Sequence, residues 1–93
     1  MKAKMILNER KYILNGFYEA KVYQVPKSLD KPHGYKYSIV YVENNKRIIG
    51  YDNGEHKGDH KHILLDEYKY NFVNIETLFR DFFEDLRRIK KWE

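Results

Sequence analysis

Only one segment of this 93-residue chain repeats its apolar residues at helical spacing, and it lies at the C-terminal end. Ile75, Leu78, Phe79, Phe82, Phe83, Leu86 and Ile89 recur three or four apart, which puts them on one stripe of a helix. Asn74 is a suitable N-cap, and Val73 and Leu78 are spaced to staple across it. Glu76 falls in the first turn while Arg87, Arg88, Lys90 and Lys91 crowd the last, as the helix dipole favours. The helix is therefore expected over about residues 75–91. A single amphipathic helix must bury its stripe against something else. Everything before it reads as strand, so the partner is a sheet.

Residues 3–14 and 17–25 flank Asn15-Gly16, a strong signal for a two-residue hairpin turn. Pro26, Pro32 and Gly34 mark residues 27–34 as a loop. Residues 35–43, rich in tyrosine and β-branched side chains, read as a strand. Asn44-Asn45 forms a second turn, followed by a strand over 46–53. Gly54 to Gly58 is another loop, residues 59–67 another strand, and residues 68–73 a short further piece. No repeat or linker divides the chain. The expected fold is α+β: one domain over residues 1–93, with an antiparallel meander of five or six strands within 3–73 and the helix on one face.

The absence of cysteine excludes a disulfide scaffold, an iron–sulfur site and a zinc site built on thiolates. The longest apolar run, Ile39 to Val42, is far short of a membrane span, and residues 1–8 lack the apolar core of a secretory signal. The chain reads as soluble and cytoplasmic, with no membrane partner. Its net charge is +4, and the surplus is in the sheet portion: residues 1–63 hold twelve Lys/Arg against seven Asp/Glu. All four histidines lie there too. Such a surplus favours polyanions, RNA first, although many small lysine-rich proteins are merely soluble.

Turn geometry sets register, and register decides which side chains share a face. With Asn44 and Asn45 as turn residues, Tyr37 is expected opposite Asp52 and Ile39 opposite Gly50. Pairing Asn53 with Asp59 places Asp52 opposite His60 and Gly50 opposite His62. One face would then carry Tyr35, Tyr37, Ile39, Tyr41, Ile48, Gly50, Asp52, His60, His62 and Leu64. Val40, Val42, Ile49, Tyr51, Ile63 and Leu65 would meet the helix on the other, with Arg47 and Lys61 toward its edges. Gly50 beside His62 would leave room for a ligand, and His33 and His56 fall near one end of this strand pair.

His56-x3-His60-x-His62, with Asp52 as a fourth group, has the residue types of a metal site but no diagnostic spacing. A metal-dependent nuclease is thus one reading. The favoured one needs no metal or other cofactor. Cleavage of RNA by its own 2′-hydroxyl takes a base, an acid and cations facing the phosphate. Histidine suits the first two roles. On this reading His60 is base or acid, His62 or His33 its complement, and Asp52 the carboxylate that orients the ring. Lys57, Lys36 and Arg47 would meet phosphate, and Tyr35 and Tyr37 would stack bases. The plainer alternative is a surface Asp52–His60 pair on a tyrosine-covered sheet.

The run His33-Gly34-Tyr35-Lys36-Tyr37, then Arg47 through Tyr51-Asp52-Asn53, then His60-Lys61-His62, resembles the TumE-like toxin family of prokaryotic toxin–antitoxin systems. The likeness continues through Tyr70-x-Phe72 to Leu78, Phe82 and Asp85. It implies a growth-inhibiting toxin neutralised by a helix-turn-helix antitoxin. A ribonuclease-type toxin is the expectation. The rival is a non-catalytic module gripping RNA or protein beside such a partner. An edge strand, at residues 3–14 or 66–73, pairing between copies would make a homodimer.

Overall fold

The computed structural model describes residues 3–54 and 56–91. Six strands, β1 (Lys4–Ile13), β2 (Gly16–Gln24), β3 (Tyr35–Glu43), β4 (Lys46–Asp52), β5 (His60–Ile63) and β6 (Asp66–Lys69), precede one helix, α1 (Ile75–Lys91). The strands form one antiparallel sheet in the order of the chain, so the fold is the expected α+β meander with a C-terminal helix. The segment read as one strand over 59–67 is broken at Leu64-Leu65, where Leu64 takes φ 55°, and its second half starts β6.

The first hairpin turns one residue earlier than expected. Ile13 pairs with Gly16, so Leu14 and Asn15 make the turn and Leu14 carries the positive φ of 55°. Gly16 serves a different need: a Cβ there would sit 2.0 Å from the carbonyl oxygen of Val42. The second turn is as expected, with Asn44 and Asn45 both at positive φ, as a type I′ turn requires.

Past that turn, β4 bulges. Glu43 pairs with Lys46 and Val42 with Arg47, but the next pair is Tyr41 with Ile49, leaving Ile48 as an extra residue. The register therefore shifts by one, and because side chains alternate, the shift reverses the faces. Tyr51 now lies opposite Ile39, and Ser38 opposite Asp52. Tyr35, Tyr37, Ile39 and Tyr41, expected on the open face, sit with the core instead. The buried core joins Tyr18, Ala20 and Val22 of β2, Tyr37, Ile39 and Tyr41 of β3, and Ile49 and Tyr51 of β4 to Leu78, Phe82 and Leu86 of α1. Each such large side chain removed from water contributes roughly 1.5–3 kcal/mol.

The helix begins where its cap predicts: Asn74 Oδ1 accepts the Thr77 amide at 2.7 Å, and its carbonyl accepts that of Leu78 at 2.9 Å. Phe82 is the centre of the packing, edge-on to Tyr51 at 5.8 Å and tilted against Tyr18 at 6.5 Å. Polar contacts pin the same interface. Tyr51 donates its hydroxyl to Asp85, which also receives Lys61 Nζ at 3.0 Å, and Tyr70 donates to Asp81 at 2.6 Å. Burial, and then these carboxylates, push the Tyr51 and Tyr70 hydroxyls up, so they remain donors. Among the described residues no helix is long and apolar enough to cross a membrane.

Candidate functional site

The face of the sheet away from α1 is polar. Strand pairing aligns Lys21, Ser38, Asp52, His60 and Lys69 in one row across β2 to β6, and Glu19, Val40, Gly50, His62 and Glu67 in the next. The β4–β5 register is the expected one, with Asp52 opposite His60 and Gly50 opposite His62. Asp52, His60 and His62 each offer a ligating or proton-accepting atom, and all three atoms lie within 4.8 Å of one another.

The chain places these groups by local means. Asn53, 1% exposed, takes over where the β3–β4 ladder stops: its Oδ1 accepts the Tyr37 amide at 3.1 Å and its Nδ2 donates to the Tyr35 carbonyl at 2.7 Å. Asp52 Oδ1 accepts the Gly54 amide at 3.1 Å, which fixes the carboxylate at the mouth of the following loop. Gly58, at φ 76°, ends that loop and turns its carbonyl toward His60 Nδ1 at 3.0 Å. The bond requires the proton on Nδ1, so Nε2 is the working nitrogen. It lies 3.1 Å from Asp52 Oδ1, within ion-pair distance but without a directed hydrogen bond. The orienting group is thus the Gly58 carbonyl, and Asp52 meets the ring's other nitrogen.

His62 stands edge-on to His60, with ring centres 5.1 Å apart, and makes no hydrogen bond to any described residue. Burial, and next the nearby Arg47 guanidinium, hold its pKa below the ordinary histidine value. The bulge explains Arg47. It was expected near the edge of the helix-facing side, but the extra Ile48 returns it to the open face, where its side chain lies along Gly50. A Cβ on Gly50 would stand 3.0 Å from Arg47 Cδ and 3.4 Å from Nε. The space at Gly50 is therefore filled by arginine rather than left for a ligand.

Lys57 joins His60, Glu67, Tyr68 and Lys69 around a shallow recess of about 500 Å³. Lys36 projects on the same face, next to the loop end, by its pairing with Tyr23. Lys21, Lys36, Arg47, Lys57 and Lys69 form no ion pair with any described carboxylate, whereas Lys61 is engaged with Asp85 on the helix side.

The other expected site residues lie elsewhere. His33 is on the covered side, donating Nε2–H to Asp59 Oδ1 at 3.0 Å and accepting the Tyr35 amide on Nδ1 at 3.1 Å. It packs on Phe72 with ring centres 4.0 Å apart. Tyr37 donates to the same Asp59 oxygen at 2.7 Å, and burial and that carboxylate push its hydroxyl up. Tyr35 and Tyr37 both pack near Phe72, so neither shares a face with His60. His56 is exposed and pairs with Asp30 in the opposite loop, away from His62. Sequence reasoning missed Asn53 and Gly58 as positioning residues and Asp59 as the partner of His33. A polar residue at the end of a strand and a glycine two residues before a histidine were the available signals.

No curated protein and no solved structure matches the chain. A family model described as Toxin TumE matches residues 4–91, nearly its whole length. Such a toxin role carries with it a cognate antitoxin. The chain belongs to the TumE toxin family.

Proposed function

We propose that this toxin is a ribonuclease whose acid–base pair is His60 and His62. The observation supporting the reading is the convergence of Asp52, His60 and His62 on the sheet face opposite α1, with His60 itself buried between the two half-buried groups, flanked by cations that lack carboxylate partners. His62, held neutral by burial and Arg47, is the base that takes the 2′-hydroxyl proton. His60 delivers the proton to the departing 5′-oxygen through Nε2, which Asp52 steadies from 3.1 Å. Arg47 faces the phosphate as its charge grows, and Lys21, Lys57 and Lys69 hold the flanking backbone. Tyr35 and Tyr37, being on the covered face, take no part in base stacking here. The products are a 2′,3′-cyclic phosphate and a free 5′-hydroxyl. On this reading the toxin works in the cytoplasm and its antitoxin is a helix-turn-helix protein.

The test is RNA cleavage by purified protein in chelator, beside the His62→Ala and His60→Ala variants and the double variant that combines them. Loss of a positioned acid or base lowers cleavage about 10²–10⁴-fold. If the double variant still arrests growth and still binds its antitoxin, the chemistry is wrong. Inhibition by gripping RNA or protein, without catalysis, would then be the answer.

A further inference from the structure

We infer that Asp52, His60 and His62 form a binding site for a divalent transition-metal ion, and that the ion inhibits the toxin by occupying the imidazoles. The donor set is two imidazoles and a carboxylate, the chemistry that zinc, cobalt and nickel take readily. The distances suit it. Two donors at about 2.05 Å from one tetrahedral zinc ion stand about 3.3 Å apart, and His60 Nε2 is 3.1 Å from Asp52 Oδ1. That pair makes no directed hydrogen bond, so the two atoms converge without satisfying each other. His62 has no hydrogen-bonding partner among the described residues, and its ligating nitrogen already lies within 4.8 Å of the other two donor atoms.

The outer contacts fit as well. A ligating imidazole commonly donates its second N–H to a carbonyl, which fixes the tautomer. His60 does so to Gly58 at 3.0 Å, leaving the Nε2 lone pair toward Asp52. Glu67 lies directly across β5–β6 from His62 and supplies a second negative group at the rim. Arg47 opposes the ion from its place along Gly50, and Lys57 and Lys69 do so from the recess. The site is thus built for reversible occupancy, with removal of Arg47 expected to tighten it.

Metal binding does not depend on the ribonuclease reading, but its inhibitory effect does. Cobalt(II) titrated into the purified full chain should give one bound ion with visible absorption bands. His62→Ala and Asp52→Asn should each weaken binding at least tenfold, and Arg47→Ala should strengthen it severalfold; thermal melts identify any variant that has lost its fold. His62→Asn, smaller and polar, repeats the test if the alanine variant unfolds. No binding, or binding indifferent to Asp52 and His62, overturns the site. Zinc should stop RNA cleavage and chelator should restore it. If chelator instead abolishes cleavage and metal restores it, the inhibitory role is overturned. Cobalt binding without RNA cleavage under any condition refutes the ribonuclease reading alone, and cleavage without cobalt binding refutes the metal site alone.

Discussion

Asn53→Ala should destabilise the protein far more than an asparagine at the end of a strand ordinarily would. The side chain is 1% exposed, and its amide satisfies two backbone groups at once, the Tyr37 N–H and the Tyr35 carbonyl. Alanine leaves both without partners, and each such orphan costs about 1–3 kcal/mol. Allowing for partial relief by entering water, the loss should be about 2–4 kcal/mol. A domain of this size shifts its Tm by about 4–8 °C per kcal/mol, so a fall of about 10–25 °C is expected. Urea titration gives the free energy and a thermal melt the midpoint. Asn53→Asp separates the hydrogen-bond argument from simple loss of volume. Its second oxygen would face the Tyr35 carbonyl, so the variant should be at least as unstable at neutral pH. Burial and that carbonyl raise the new carboxyl's pKa in the folded state, so protonation, which restores a donor, favours folding. Stability should therefore recover as pH falls through the raised pKa and be lost again as pH rises. A loss below about 0.5 kcal/mol in Asn53→Ala, or an Asn53→Asp variant indifferent to pH, would refute the reasoning.

Phe82→Ala, removing the ring between Tyr18 and Tyr51, should cost about 3–5 kcal/mol by urea titration. Gly50→Ala should leave stability within about 1 kcal/mol, since strand propensity gains what displacement of Arg47 loses, yet lower RNA cleavage; Arg47→Ala should lower it about 10²-fold. On the ribonuclease reading, the acid limb of the cleavage pH profile should lie below the ordinary histidine value, because burial and then Arg47 depress His62, and Arg47→Gln should move it upward. At high pH the folded state holds the Tyr18 proton until about pH 12, because burial and then its bond to Glu9 push the hydroxyl up to about 12. The stability linked to keeping this hydroxyl protonated is present below pH ~10, the unfolded value, and lost as pH rises toward 12, which tyrosinate absorbance during alkaline unfolding would record.

The fold and the strand pairing at the candidate site are legible from the sequence for one reason: alternation and turn chemistry act locally. Asn74 named the helix start, Asn44-Asn45 named a turn, and the glycine-bounded loop set the pairing of Asp52 with His60. What was not legible needed a tertiary fact. The extra residue at Ile48 has no residue-type signature, since Arg47-Ile48-Ile49 looks like any strand, yet it moved Arg47 to the open face and the β3 tyrosines beneath the helix. Leu14 and Leu64 at positive φ likewise defy residue preference, and there the hairpin geometry overrides the local cost. His33 was misplaced because its partners Asp59 and Phe72 come from loops far along the chain.

His60 and His62 ride on β5, four residues long, whose outer neighbour β6 is equally short and exposed along its whole length. Their hairpin closes on Leu64 and Leu65, both left in solvent. Such a margin can open while β2, β3, β4 and the helix stay shut, because local openings follow contact density rather than global stability. Amide exchange should therefore run on two clocks, fast along the histidine-bearing ribbon and slow beneath Phe82. Assembly of the proposed acid–base pair would answer to the faster one.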